Sequence, residues 1–295
     1  MAPAVCDLLL MIQRLCIIGV GLIGGSLARA VKRAGFCAEV VGSGRDENQL
    51  RRAVELGVID RYETDPARAV IGADMVVLAV PLGAMEQVMR GIAPHVERDA
   101  VITDVGSAKG SVVTAAEAAF GAAPAHFVPG HPIAGTEKSG VEASAADLFQ
   151  RRRVILTPLP YTAASAVAAV RTMWEQAGAE VVEMGAAHHD EVLAATSHLP
   201  HMLAFALVDT LARMHEQAEI FRYAAGGFRD FTRIASSDPV MWRDICLANR
   251  EAVATMIDRY QGDLTVLRAA ILRGDGKRIE EIFTRAKAAR DRYCE

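Results

Sequence analysis

Gly19-Val20-Gly21-Leu22-Ile23-Gly24 constrains this chain more than any other stretch, because it joins an apolar β-branched run to a helix-like segment. A strand that enters a helix through G-x-G-x-x-G needs its first glycine for a tight turn. The second lets a pyrophosphate approach the backbone, and the third lets helix and strand pack closely. The unpaired N–H groups that open the helix, at Leu22 and Ile23, then face the phosphates. A glycine-rich structural turn is the competing reading, but here the glycines sit in the strand-to-helix context that dinucleotide binding requires.

The rest of the first half keeps that rhythm. Strand-like runs fall at residues 15–19, 39–42, 75–80, 101–105, 127–129, 153–157 and 180–183, with amphipathic stretches at 22–34, 47–56, 84–92 and 163–176. Such alternation predicts a largely parallel sheet covered on both faces. After about Gly185 the period becomes helical, with long runs at 189–214 and 239–272. Asp238-Pro239 marks a helix start, and Gly274-Asp275-Gly276 breaks the chain before a last charged helix. The expected organisation is an α/β Rossmann-type dinucleotide-binding domain over 13–185, followed by an all-α helical domain over 186–295. The apolar faces of the second domain exceed what a small bundle needs for itself, which predicts a homodimer formed through it.

Composition narrows the partners. With 52% hydrophobic residues, 23% charged residues and a net charge of −4, the chain reads as a soluble globular protein without a nucleic-acid or membrane-surface role. Its five cysteines show no C-x-x-C spacing, as expected of a cytoplasmic protein. The apolar run at 8–12 lacks a basic leader and reads as a short extension, not a signal peptide. No βαβ-like segment follows the helical half, so an appended regulatory domain is not expected.

The end of the second strand bears on cofactor choice. An NAD site usually has an acid there, whereas this chain reads Ser43-Gly44-Arg45. Arg45 can pair with a 2′-phosphate and Ser43 can hydrogen-bond it, which favours NADP over NAD. Asp46 is the residue that would serve an NAD ribose instead. Val80-Pro81, at the carboxyl end of another strand, and Ser107, at the end of the next, are placed to border the cofactor. Lys109 reads as a solvated surface charge.

Gly130-His131-Pro132-Ile133-Ala134-Gly135 sets a histidine in a stiff Pro/Gly loop, where it can accept a proton near neutral pH. His188, His189, His198 and His201 have no H-E-x-x-H spacing and no completing cysteine or carboxylate cluster, so no metal site is expected.

Five motifs, in order, carry a resemblance that covers nearly the whole chain. They are G-V-G-L-I-G-G-S at 19–26, D-V-G-S-A-K at 104–109, G-H-P-I-A-G-T-E-K-S-G at 130–140, S-H-L-P-H at 197–201, and G-F-R-D-F-T-R-I-A-S-S-D-P-V-M-W-R-D-I at 227–245. With these the chain resembles the prephenate/arogenate dehydrogenase family of tyrosine biosynthesis. The resemblance implies oxidative decarboxylation of a cyclohexadienol to an aromatic product, with hydride passing to NAD(P). It implies that His131 is the base at the ring hydroxyl and that Ser107 orients it near the nicotinamide. It assigns Arg233 to a substrate carboxylate and His189 and His201 to the substrate pocket. Trp242 walls that pocket or belongs to the core, and Arg229 and Arg243 are weaker carboxylate candidates that can pair with Asp230 and Asp244. A β-hydroxyacid dehydrogenase is the nearest rival, but residues 189–214 contain no lysine to serve as its catalytic group. A non-catalytic cofactor-binding module would not need His131, Ser107 and Arg233 together.

Overall fold

The computed structural model describes residues 12–293, except 137 and 216 and the side chains of 217, 218 and 220. The N-terminal extension and Glu137 of the histidine motif therefore lie outside the described residues.

β1 (Ile12–Ile18) leads through the glycine turn into α1 (Leu22–Ala34). There follow β2 (Cys37–Ser43), α2 (Glu47–Glu55), β3 (Arg61–Glu63), α3 (Pro66–Ala69), β4 (Met75–Leu78) and α4 (Leu82–Ile92). β5 (Val101–Asp104), α5 (Lys109–Phe120) and β6 (Phe127–Val128) complete a six-stranded parallel sheet in the order β3-β2-β1-β4-β5-β6. Successive side chains of a strand point to opposite faces, and both faces here are covered. Leu15 and Ile17 join one apolar core with Leu27, Val31 and Val40, while Cys16 and Ile18 join another with Val76, Leu78, Met85 and Met89. The strand order reverses between β1 and β4, so their carboxyl ends open the crevice where ligands of such sheets lie.

Two strands depart from the sequence reading. β3 is a polar edge strand whose Arg61 pairs with Glu39 of β2 at 2.8 Å, so it shows no apolar run. Residues 130–132, expected as loop, form β7 (Gly130–Pro132). It lies antiparallel to β8 (Arg153–Leu156), which runs parallel to β9 (Glu180–Glu183) beyond α6 (Ala164–Gln176). This second, three-stranded sheet places His131 opposite Ile155. Pro132 is tolerated because β7 is an edge.

Beyond Gly185 the described residues are helical. α7 (Ala186–Leu193) runs through a π-helical turn, Ala194–His198, into α8 (Leu199–Ala212). The stretch Ala186–Ala212 has the length and apolarity to cross a membrane by composition alone. It also carries buried histidines that are hydrogen-bonded within the protein, described below. Then come α9 (Gln217–Arg222), α10 (Gly226–Thr232), the 3₁₀ turn Arg233–Ser236 and α11 (Pro239–Ala248). Asp238 caps α11, accepting the Met241 N–H at 2.7 Å. The helix expected over 239–272 breaks at Asn249 into α11 and α12 (Arg250–Arg273), and α13 (Gly276–Tyr293) follows. The chain forms two compact units, Met1–Arg250 and Glu251–Glu295, and the change to helical content at 185–186 falls inside the first.

Candidate active site

The glycine turn has the shape of a phosphate cradle. Gly19 has φ +103°, and a Cβ there would lie 2.2 Å from the Ala79 carbonyl oxygen. A Cβ on Gly24 would lie 2.1 Å from the Gly19 carbonyl oxygen, while one on Gly21 would meet no atom within 4 Å. The first and third glycines are thus required by the protein's own packing, and the second borders open space. No side chain caps the start of α1 and no acid lies in its first turn, so the amides at Leu22 and Ile23 suit an anion. A bound nicotinamide dinucleotide fits these residues. At the adjoining strand end Val80 is half-buried and Pro81 is exposed, capping α4.

The second strand corrects one expectation. Ser43 belongs to β2 and is fully buried, with no hydrogen-bond partner for its hydroxyl among the described residues, so that hydroxyl is not presented to a 2′-phosphate. Its carbonyl instead accepts the Gly19 N–H at 2.7 Å and fastens the turn. Arg45 is exposed and forms no ion pair among the described residues. Asp46 caps α2, accepting N–H groups from Asn48 and Gln49 at 2.9 and 3.3 Å.

His131, 8% exposed, is held from behind. Its Nδ1 lies 2.9 Å from Nε2 of His189, whose own Nδ1 lies 2.8 Å from Oδ1 of Asp190. Asp190 in turn accepts the Lys109 N–H at 2.7 Å and the Gly110 N–H at 2.8 Å, and so caps α5 from a distant helix. A Cβ on Gly110 would come within 3.0 Å of that carboxylate, which explains the glycine. Burial pushes Asp190 upward, but His189 and the two backbone donors outweigh it and hold the carboxyl below its usual range. His189 is wholly buried with both ring nitrogens engaged, so it stands behind His131 and leaves no nitrogen for a substrate. Burial lowers the His131 pKa well below 6.5, and Lys109, His189 and His198 add to the effect.

Lys109 is the residue that sequence reasoning misjudged. It is completely buried, donating to Asp104 Oδ2 at 2.5 Å and to the Gly130 carbonyl at 2.6 Å. Asp104 also accepts the Gly106 and Gly130 N–H groups, at 2.7 and 3.1 Å. Burial pushes the ammonium pKa down, and Asp104 and Asp190 oppose this by favouring the charged form. The pair ties the end of β5 to the residue beside His131. Its signal in the sequence was an acid and a lysine bracketing Gly106, a spacing that surface residues also show.

A wall of rings continues the site. The His201 ring stacks on Trp242 at 3.7 Å, and its Nδ1 donates to the Ser197 carbonyl at 2.8 Å, which leaves Nε2 unoccupied. Burial lowers the His201 pKa, the Ser197 carbonyl opposes this, and the nearby Arg233 charge lowers it further. Arg233, at the surface, is thereby placed close to His201. Trp242 is 7% exposed, with His198 edge-on to it at 6.0 Å. Burial pushes His198 down to about 4. Asn249 donates to His198 Nδ1 at 3.2 Å, which puts its proton on Nε2, facing the Ser107 carbonyl short of hydrogen-bond geometry. Ser107, expected to orient His131, is half-buried; its hydroxyl makes no hydrogen bond among the described residues, and His131 Nδ1 is held by His189 instead. Arg243 pairs with Asp244 at 2.7 Å, as expected of a weaker candidate. No cluster of three metal-ligating side chains occurs among the described residues.

Residues 27–183 match the family described as prephenate dehydrogenase, nucleotide-binding domain, and residues 185–285 match prephenate dehydrogenase, dimerization domain. The chain belongs to the prephenate dehydrogenase family. It is 42% identical to a cyclohexadienyl dehydrogenase of Zymomonas mobilis over 94% of this chain and 95% of that protein. Among solved structures it resembles prephenate dehydrogenase from A. aeolicus in complex with hydroxyphenyl propionate and NAD+. The TM-score is 0.88 at 40% identity, covering 94% of this chain and 97% of that one. Synechocystis arogenate dehydrogenase superposes with a TM-score of 0.80 at 27% identity, over 95% of this chain and all (100%) of that one. The nicotinamide-dinucleotide cofactor and the small-molecule substrate expected from the sequence agree with this membership, as does a Rossmann half followed by a helical half.

Proposed function

We propose that this chain oxidatively decarboxylates prephenate or arogenate in tyrosine biosynthesis, with NADP favoured over NAD. The observation that carries this reading is a buried histidine, His131, linked through His198 to a stacked His201–Trp242 pair near Arg233, in a chain with this family's full pair of domains. When bound, the dinucleotide supplies the hydride acceptor. His131 takes the ring-hydroxyl proton as the carbinol carbon is oxidised. The electron pair of the ring–carboxylate bond then enters the ring, releasing carbon dioxide and leaving an aromatic product. Arg233 holds a substrate carboxylate through its guanidinium fork, and the free His201 nitrogen faces the same ligand. Ser107 lies between the end of β5 and α5, on the cofactor side. Support for NADP rests on Arg45, which has no ion-pair partner among the described residues, and on Asp46, which caps its helix. A cytoplasmic homodimer is the expected setting.

The test is to assay both substrates with each cofactor. Faster turnover with NADP is expected, and a clear preference for NAD would overturn the reading of Arg45. His131→Ala should cost about a hundredfold or more in kcat, the usual share of a positioned base. Full turnover by that variant would remove His131 from the role.

A further inference from the structure

From the hydrogen-bond chain behind His131, we infer that Asp190 is a positioning residue. Acting through His189, it fixes the tautomer in which His131 presents an unprotonated Nε2 to the substrate. This rests on the reading of His131 as the base.

The argument follows the protons. Asp190 Oδ1 already accepts the Lys109 N–H, and Oδ2 accepts the Gly110 N–H, so this side chain serves as an acceptor to every neighbour. The 2.8 Å contact with His189 therefore places a proton on His189 Nδ1. With Nδ1 of His189 donating to Asp190, its Nε2 is the acceptor left for His131. At 2.9 Å, that contact places the proton of His131 on Nδ1. The only nitrogen of His131 left to act is Nε2, and it carries a lone pair. Once Nε2 takes a proton from the substrate hydroxyl, the resulting cation is backed by a neutral ring and a carboxylate.

The charged and titratable groups facing this pair come from four elements. They are Lys109 on α5, Asp104 on β5, Asp190 on α7 and His198 on the π turn. Lys109 is spoken for by Asp104 and the Gly130 carbonyl. His198 Nδ1 is taken by Asn249, which also donates to the Asp190 carbonyl at 2.8 Å and so fixes that residue's backbone. None of the other three groups accepts a hydrogen bond from the His131 or His189 ring among the described residues, so Asp190 sets the direction of the chain.

An amide at position 190 meets a backbone donor whichever way it turns. With its oxygen kept toward His189, its NH₂ faces the Gly110 N–H and the tautomer is kept, but the carboxylate charge that backs the cation is lost. When it is flipped, the NH₂ faces the Lys109 N–H and donates to His189 Nδ1, His189 donates from Nε2, and the proton of His131 moves to Nε2. Either way the base is impaired while substrate contacts are untouched.

The experiment is ¹⁵N NMR of histidine-labelled protein, read beside steady-state kinetics of Asp190→Asn and Asp190→Glu. Unmodified protein should show His131 and His189 both protonated at Nδ1 and bare at Nε2. Asp190→Asn should lower kcat by about a hundredfold or more, with KM within about threefold and dinucleotide affinity retained. Asp190→Glu, which keeps a carboxylate acceptor, should keep the Nδ1 tautomer and recover part of the rate. A proton on His131 Nε2 in the unmodified protein overturns the inference even if the variants fail to fold. So does an Asp190→Asn enzyme with undiminished kcat. If instead the tautomers are as stated but His131→Ala retains turnover, it is the base assignment that fails, and the two failures are told apart.

Discussion

At the scale of single residues, burial disfavours the charged forms of three histidines in the site, His131, His198 and His201. Because the His131 pKa is pushed well below 6.5, the proposed base stays able to accept a proton at neutral pH. The acid limb of kcat/KM should lie well below that value, with a plateau across neutrality. Stability carries the same sign. His198 titrates near 6.5 when unfolded and at about 4 when folded, so between these values the unfolded chain binds the extra proton. The melting temperature should fall as pH drops from 6.5 to 4, and the slope should shrink in His198→Gln; an unchanged slope would exclude His198 as a cause. His131 and Arg233 stand out in the sequence because each sits in a specific motif. Lys109 was not, because a buried cation is recognisable only once its acceptors are known. One of those acceptors is a backbone carbonyl on a different sheet. The partnership of Asp190 with α5 was equally hidden, since the two are 80 residues apart in sequence.

At the scale of elements, the glycine turn offers a paired test. Gly19→Ala would drive a Cβ into the Ala79 carbonyl at a backbone angle that side chains avoid, so it should destabilise the fold and cost about 2 kcal/mol or more. Gly21→Ala meets nothing within 4 Å, so its melting temperature should stay close to that of the parent. Its dinucleotide affinity should nonetheless drop at least about tenfold, measured by fluorescence titration, because the added methyl occupies the space left for phosphate. Equal affinity in the two proteins would exclude this turn as the phosphate site. Longer elements such as α1 were readable from their period, and α1 spans the residues expected. β3 and β7, at three residues each, are too short for a pattern, and the partners that make them strands lie far along the chain. The π turn was likewise invisible within a continuous apolar run, although it helps to bring His198 against Trp242.

At the scale of the whole molecule, the unit Glu251–Glu295 leaves Ile271, Leu272 and Phe283 at 57%, 69% and 57% exposure. Covered apolar surface of this kind is expected in a homodimer, so sedimentation at micromolar concentration should give twice the mass of one chain. Leu272→Glu should shift that mass toward the single chain; a parent protein that already runs as one chain would exclude the dimer. The change of class near residue 185 was legible from periodicity, whereas the hydrogen bonds across it were not. Those hydrogen bonds also bear on how such a protein can change over time. His131 stands on a strand of the α/β half, yet His189 and Asp190, which hold its ring from behind, come from the helical half. A nucleotide-binding module taken alone would keep its cradle and its histidine but lose the partner that directs the histidine's proton. Exchange of the helical half between relatives is therefore constrained at α7 by acid–base chemistry as well as by shape. Whatever else changes in the helical half, α7 has to keep its match to a strand it does not contain.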